Sequence, residues 1–407
     1  KGEMKMKYDF TTILDREGHD ALAVDSLPIS DATVKEEFPK IPMWVADMNF
    51  PVLPAIQESI FSRLNEPHFG YFTIPDAYYD AIISWQKSQN NLLVKKEHIG
   101  YENGVLGGLS SVVQAYTAKK EPVLVHAPTY IGFTKTLKNL DRTIIHSDLI
   151  QDENGIWRMD YEDMERKIKA HQIKVCIFCS PHNPTGRVWE KEEIEKAMEV
   201  YRNNQCIVIS DEIWSDLILP GHQHIPTQSI SRDARGRTVA LYAPSKTFNL
   251  AGLVGSYHII YNPIIKEEVL RVENASHYNS PNIFSIYALL GAYSQEGKEW
   301  VKELCETIQN NIDYALDYIQ SHFKGIKVAR PQGTYMLYLD CTEYLEEQEI
   351  TLDELLRKGI EVGVLWQDGR PFQKENTIRM NLALPLSKVK EAMQRLSDFV
   401  FSEENSL

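Results

Sequence analysis

The sequence predicts an α/β protein with a large domain on a mostly parallel sheet and a smaller α+β domain. Three observations lead there. Between residues 51 and 290, short apolar runs alternate with stretches of helical periodicity, the pattern of a doubly wound sheet. From about residue 298 the order changes to one long amphipathic helix, then short strands and two more helices. The length of 407 residues exceeds what one hydrophobic core usually supports. The expected division is 51–290 for the large domain and 1–50 with 291–407 for the small one.

In chain order, the strand candidates of the large domain are 123–127, 143–146, 175–179, 207–209, 238–242 and 256–261, each a short apolar run. Helical spacing covers 55–64, 77–89, 106–116, 191–202 and 283–293. In the tail, Trp300, Leu304, Ile308, Ile312, Leu316 and Ile319 fall on one helical face. Strands follow at 326–329, 335–339 and 378–382. Thr351 and Glu354 have the spacing of a capping box. Val389, Met393, Leu396 and Val400 line the last helix. The chain shows no internal repeat and no low-complexity tract.

Composition removes several function classes. The apolar share of 43% suits an ordinary globular core. A net charge of −14 without a basic block argues against nucleic-acid and anionic-membrane partners. No apolar run approaches the length of a membrane span, and the N-terminus carries lysines without the apolar stretch of a secretory signal. Lys1-Gly-Glu reads as a leftover ahead of Met4 or Met6. The five cysteines are scattered, which fits a reducing cytoplasm. Cys176 and Cys179 form a C-x-x-C, but they sit inside a strand, and no second pair completes a zinc site.

Three motifs carry chemistry, each at the end of a predicted strand. They are Ser180-Pro-His-Asn-Pro-Thr-Gly186, Ser210-Asp-Glu-Ile-Trp214 and Ala243-Pro-Ser-Lys-Thr-Phe-Asn249. Ligands of open α/β sheets gather outside the carboxyl ends of the strands, so Asn183, Asp211 and Lys246 are expected in one crevice. A strand-end lysine either snorkels to solvent or is held as a nucleophilic amine whose pKa burial can lower. Asp211 alone reads equally as a helix-capping aspartate, and Asn183 alone as a turn residue before Pro184. Asn103-Gly-Val-Leu-Gly-Gly108 opens a helix, where free amides of Val105 and Leu106 can bind an anion.

Asn, Asp and Lys at three strand ends in this order resemble the fold-type I pyridoxal phosphate enzymes of the aminotransferase class I/II superfamily, over about residues 42–385. The resemblance implies pyridoxal 5′-phosphate as cofactor. It makes Lys246 the Schiff-base lysine and the base at the substrate Cα, and Asp211 the partner of the pyridine nitrogen. Asn183 then bonds the phenolic oxygen, and Tyr130 stacks on the ring, its alternative being a core tyrosine. The phosphate falls to Val105, Leu106 and Ser245, with Tyr71 reaching in from the neighbouring subunit of a homodimer; otherwise Tyr71 is an ordinary half-buried tyrosine. Arg379, in Asn376-Thr-Ile-Arg-Met-Asn381, corresponds to the arginine that grips the substrate carboxylate, the alternative being a surface arginine. Three positions depart from the common pattern: Trp214 stands for a tyrosine, Val254 for an arginine and Ala243 for a serine, which shifts weight onto backbone donors and Tyr71 for the phosphate.

Pro42-Met-Trp-Val-Ala-Asp-Met-Asn-Phe-Pro51 is similar to the corresponding segment of cystathionine β-lyase-like C–S lyases, with Asn49 in place of a usual aspartate. Gly333-Thr-Tyr-Met-Leu337 fits the same branch. Trp44 and Asp47 are then expected on the substrate side, or else only packed within the small domain. The implied reaction is β-elimination from an S-substituted cysteine, giving thiol, pyruvate and ammonia. The alternatives are an aminotransferase and, more distantly, a non-catalytic regulatory protein on the same fold.

Overall fold

A computed structural model describes residues 6–402; Lys1-Gly-Glu and Met4 lie outside them. The chain divides into two compact units. One comprises Val52–Asn183 and Arg187–Val301; the other comprises the chain up to Pro51, Pro184–Gly186 and the chain from Lys302.

The first unit is built on a seven-stranded sheet. Its strands are β1 (Ile99–Glu102), β2 (Pro122–Ala127), β3 (Thr143–Asp148), β4 (Val175–Cys179), β5 (Ile207–Asp211), β6 (Thr238–Tyr242) and β7 (Ser256–Ile259). They lie in the order β1-β7-β6-β5-β4-β2-β3. The pairs from β6 to β3 are parallel, while β7 runs antiparallel to both β6 and β1. Every residue of β4 and β6 is buried, as expected of parallel strands covered on both faces.

The longer helices of this unit are α1 (Pro54–Leu64), α2 (Asp76–Asn90), α3 (Val105–Tyr116), α4 (Ile131–Asn139), α5 (Tyr161–His171), α6 (Lys191–Asn203), α7 (Pro263–Ser276) and α8 (Ile283–Ala292). Leu109, Val112 and Val113 of α3 are buried against Val125, Ile177 and Leu241 of the sheet. Strand β1 is too short an apolar run to stand out in the sequence, and helices α4, α5 and α7 lie outside the stretches whose spacing reads as helical. Ile-Gly-Tyr-Glu is a strand only because Tyr101 and Glu102 register against Tyr257 and Ser256.

Helix α9 (Gln295–His322) follows, and the division between the units falls inside it. Trp300, Leu304, Ile308, Ile312 and Ile319 are buried, with Ala315 rather than Leu316 fully enclosed. The second unit holds an antiparallel sheet of β8 (Lys327–Val328), β9 (Met336–Asp340), β10 (Gln367–Asp368) and β11 (Thr377–Asn381), in the order β8-β9-β11-β10. Helices α10 (Leu352–Glu361) and α11 (Leu386–Phe399) accompany it. The Thr351–Glu354 capping box forms in both directions, at 3.3 and 2.7 Å. Ile41–Pro42 adds a two-residue parallel pairing to Val364–Leu365, which ties the N-terminal segment into this unit. Among the described residues no helix is long and apolar enough to cross a membrane.

Candidate active site

The first unit contains a cavity of about 210 Å³ at the carboxyl ends of β4, β5 and β6. Each strand delivers one polar side chain to it: Asn183 after β4, Asp211 at the end of β5, and Lys246 after β6. Val105 and Leu106 from the start of α3, Tyr130 from the start of α4, Trp214 and Ser245 line the remainder. The parallel register explains the convergence, because Cys179 pairs with Asp211 and Asp211 with Leu241, so the three strands run out at one level.

Asp211 is only 3% exposed. Burial pushes its carboxyl up to about 7, against the opposing pull of the Ile213 amide and the Lys246 ammonium. The Ile213 amide donates to Asp211 Oδ1 at 3.1 Å, but the residues that follow form a turn and not a helix, so the carboxylate closes a turn while facing the cavity and does not cap a helix. Lys246 is half-buried, with Nζ 5.5 Å from the centre of the Trp214 ring. Trp214 is itself buried. Asn183 is 3% exposed and is the last residue of this unit before the chain makes its three-residue excursion into the other. Its backbone amide donates to the Cys179 thiol, fixing the loop at the strand end.

The start of α3 has the features of an anion site. Gly104, the cap residue, has φ +85° and no side chain to satisfy the first turn. The Gly107 and Gly108 amides both turn back onto the Gly104 carbonyl, at 3.2 Å each. Val105 and Leu106 are left as the first-turn donors among the cavity-lining residues. A Cβ on Gly107 would lie 1.6 Å from Tyr278 Oη, so glycine is required there. Beside Gly104, Val254 holds φ +68°, which is strained for a β-branched residue, and it is 48% exposed. Tyr130 packs edge-on against Phe133 at 5.3 Å, and its ring leaves no room for a Cβ on Gly132.

Tyr71 stands apart from this cavity. It is fully solvent-exposed, beside the exposed Phe69 and the partly exposed Phe72.

Arg379, Trp44 and Asp47 belong to the second unit, where they form a cluster of their own. Arg379, on β11, is 3% exposed rather than on the surface. Its Nη2 donates to Gln367 Oε1 at 2.5 Å and to the Trp44 carbonyl at 3.2 Å, and the guanidinium lies 4.7 Å from the Phe372 ring centre. Trp44 Nε1 donates to the Ala23 carbonyl at 3.0 Å. Asp47 is taken up by Arg16, at 2.6 and 3.3 Å. Arg16 also donates to Asn49 Oδ1 at 2.6 Å, and an amide there accepts that bond without placing a second negative charge beside Asp47.

Several contributors carried little or no signal in the sequence. Cys179, Ile213 and Ala251 line the cavity as apolar wall. Directly behind Asp211, Glu212 is fully buried. Burial alone would raise its carboxyl, but donors from His224 at 2.8 Å, Tyr242 at 2.5 Å and Thr227 at 3.0 Å hold it below the usual range. Asp216 anchors Thr247, next to Lys246, at 3.1 Å and Trp85 at 3.0 Å. The Asp-Glu dipeptide at the strand end was the available clue to Glu212; Asp216 had none.

Residues 46–396 match the family model described as aminotransferase class I and II. Over 88% of its length the chain is 33% identical to cystathionine beta-lyase PatB of Bacillus subtilis, of which 91% is covered. A pyridoxal phosphate-bound C–S lyase from Staphylococcus hominis is similar with a TM-score of 0.86 at 30% identity, covering 96% of this chain and 98% of that one. Cystalysin from Treponema denticola, a structure that contains pyridoxal 5′-phosphate, is similar with a TM-score of 0.88 at 29% identity over the same shares.

Proposed function

The chain belongs to the aminotransferase class I and II family, and from that premise we propose that it is a pyridoxal phosphate-dependent carbon–sulfur lyase. It splits an S-substituted cysteine with one water into thiol, pyruvate and ammonia. The observation that carries this reading is the convergence of Lys246, Asp211 and Asn183 with the uncapped α3 N-terminus on one cavity.

The donor set fits the cofactor. Lys246 Nζ is the amine for its aldehyde, and Asp211 is a carboxylate whose charge is unfavourable until a cation faces it. The Asn183 amide suits the phenolic oxygen. The Tyr130 ring offers a stacking face, and Trp214 adds an apolar wall. The Val105 and Leu106 amides and the Ser245 hydroxyl suit the phosphate. When bound, pyridoxal phosphate supplies the electron sink that makes the substrate Cα–H acidic.

The protein's own groups do the rest. Lys246 accepts the Cα proton as general base. Asp211, ionised opposite a pyridinium, keeps that nitrogen protonated. Arg379 binds the α-carboxylate with its planar fork, and Trp44 and Asp47 shape the substrate side. Tyr71, exposed on one subunit, is the residue offered to the phosphate of a second subunit in a homodimer. The five cysteines, all buried and none in a disulfide, support a reducing, cytoplasmic setting.

The test is a panel of cystathionine, cystine, cysteine and S-alkyl cysteines, scored for pyruvate without any keto-acid acceptor. Pyruvate release from the parent protein and its loss in Lys246→Ala, with loss of the cofactor's covalent absorption band, is the expected result. Conversion of the cofactor to its amine form, with no pyruvate, would instead mark an aminotransferase. A protein that takes up no cofactor would be the regulatory alternative.

A further inference from the structure

Beneath the α3 N-terminus lies a buried cluster that the chemistry above does not use. Strand β1 ends at Glu102, immediately before Asn103 and Gly104. Glu102, His258 of β7 and Glu273 of α7 are each fully buried, with ligand-capable atoms within 4.8 Å of one another. His258 Nδ1 lies 2.7 Å from Glu102 Oε1 and 3.9 Å from Glu273 Oε1. Glu102 Oε2 and Glu273 Oε1 meet no N–H or O–H donor of the protein. The two carboxyl groups instead lie against each other. Two carboxylates cannot both remain ionised in contact in a dry interior, so the missing donor is one of the pair.

The same segment grips the cradle turn. The Tyr278 amide donates to the Glu273 carbonyl at 3.2 Å. The Tyr278 carbonyl accepts from Asn103 Nδ2, and Tyr278 Oη donates to the Gly104 carbonyl at 3.1 Å. The end of α7 therefore holds the turn before Val105 and Leu106 through two Tyr278 bonds and one carboxyl contact.

We propose that Glu102 and Glu273 share one proton, and that this proton clamps the end of α7 to the end of β1, making both glutamates positioning residues for the phosphate-binding amides. The proposal rests on the cofactor reading above. Burial, with Glu102 alongside, pushes Glu273 up to about 9, and burial pushes Glu102 up to about 7 and His258 down to about 4. At neutral pH the imidazole is then uncharged and the pair keeps a proton. The other groups facing the pair are Lys266 on α7, held by the Glu97 and Ile99 carbonyls, Tyr101 on β1, Tyr78 on α2, and Tyr278 with Asn279 after α7. Raising the pH removes the shared proton, the carboxylates repel, and Tyr278 is drawn off the turn.

The experiment compares pyridoxal phosphate with pyridoxal, titrated into cofactor-free full-length protein by visible absorbance from about pH 7.5 to about pH 10. The ratio of the two affinities cancels the aldehyde and lysine contributions, and the phosphate itself, with a second pKa near about 6, is already fully charged. In the parent protein the ratio should fall by about tenfold across the range, as loss of one linked proton requires. In Glu273→Gln, whose amide can donate to Glu102 without titrating, it should stay flat. A flat ratio in the parent overturns the clamp even if the variant fails to fold. So does a variant as steep as the parent, or a divalent metal recovered stoichiometrically with the protein. If the parent binds neither compound, the cofactor reading fails and the clamp falls with it. If it binds both with a ratio independent of pH, the clamp alone fails.

Discussion

Replacing Asp211 by asparagine should stabilise the cofactor-free protein while crippling the enzyme. Asp211 is 3% exposed, and burial lifts its carboxyl from 3.8 to about 7. At roughly 1.4 kcal/mol per decade of proton affinity, ionising it in the folded, cofactor-free chain costs about 4 kcal/mol. Water entering the cavity brings the expected figure to about 2–4 kcal/mol. The sign follows from linkage. Below about pH 4 the carboxyl is protonated in folded and unfolded chains alike, and the cost is absent; it grows as pH rises and is complete above about 7. Asp211→Asn keeps the shape and removes the charge. Chemical unfolding of both cofactor-free proteins should give similar stabilities near about pH 4, and a variant more stable by about 2–4 kcal/mol near about pH 8. Turnover by the loaded variant should fall at least about a hundredfold, because a neutral amide does not hold the pyridine nitrogen protonated. Parallel stability curves across pH, or a less stable variant at about pH 8, would refute the claim that the Ile213 amide and the Lys246 ammonium only partly offset the burial of this carboxylate.

Three other substitutions test separate parts. Gly107→Ala drives a methyl into Tyr278 and should weaken pyridoxal phosphate binding by about 1–3 kcal/mol, with pyridoxal affinity little changed, as read by absorbance titration. Arg379→Lys loses the planar fork and should lower kcat/KM by about 10- to 100-fold, mostly through KM, in a pyruvate assay. Glu193→Gln leaves Arg187, whose side chain is 4% exposed, and Arg158 facing a neutral amide; urea unfolding should show a loss of about 3 kcal/mol with cofactor absorbance retained.

The site was readable where chemistry and strand ends coincide. Asn183, Asp211 and Lys246 each follow an uninterrupted apolar run, and parallel pairing leaves such residues no other destination. The sequence could not show that β7 and β1 close the sheet antiparallel, since side-chain alternation is the same in either direction. Nor could it bring Glu102 to His258, 156 residues away, because only the β1–β7 pairing makes them neighbours. Arg16 was missed for a similar reason. A lone arginine in a charged N-terminal stretch reads as solvated until Asp47 and Asn49 fold onto it. Burial corrected the surface alternative for Arg379, while Tyr71 proved fully exposed rather than half-buried.

The boundary inside α9 bears on how this polypeptide can be produced. At 1.5 Å per residue its 28 residues make one rod about 42 Å long. A gene cut at residue 301 or 302 would split that rod and strip Trp300 from Leu304, Ile308 and Ile312 on its apolar stripe. Each fragment would emerge from the ribosome with a greasy, half-length helix seeking cover. Separate expression of the halves should therefore yield insoluble material, and co-expression should recover soluble protein only if the severed ends reassemble.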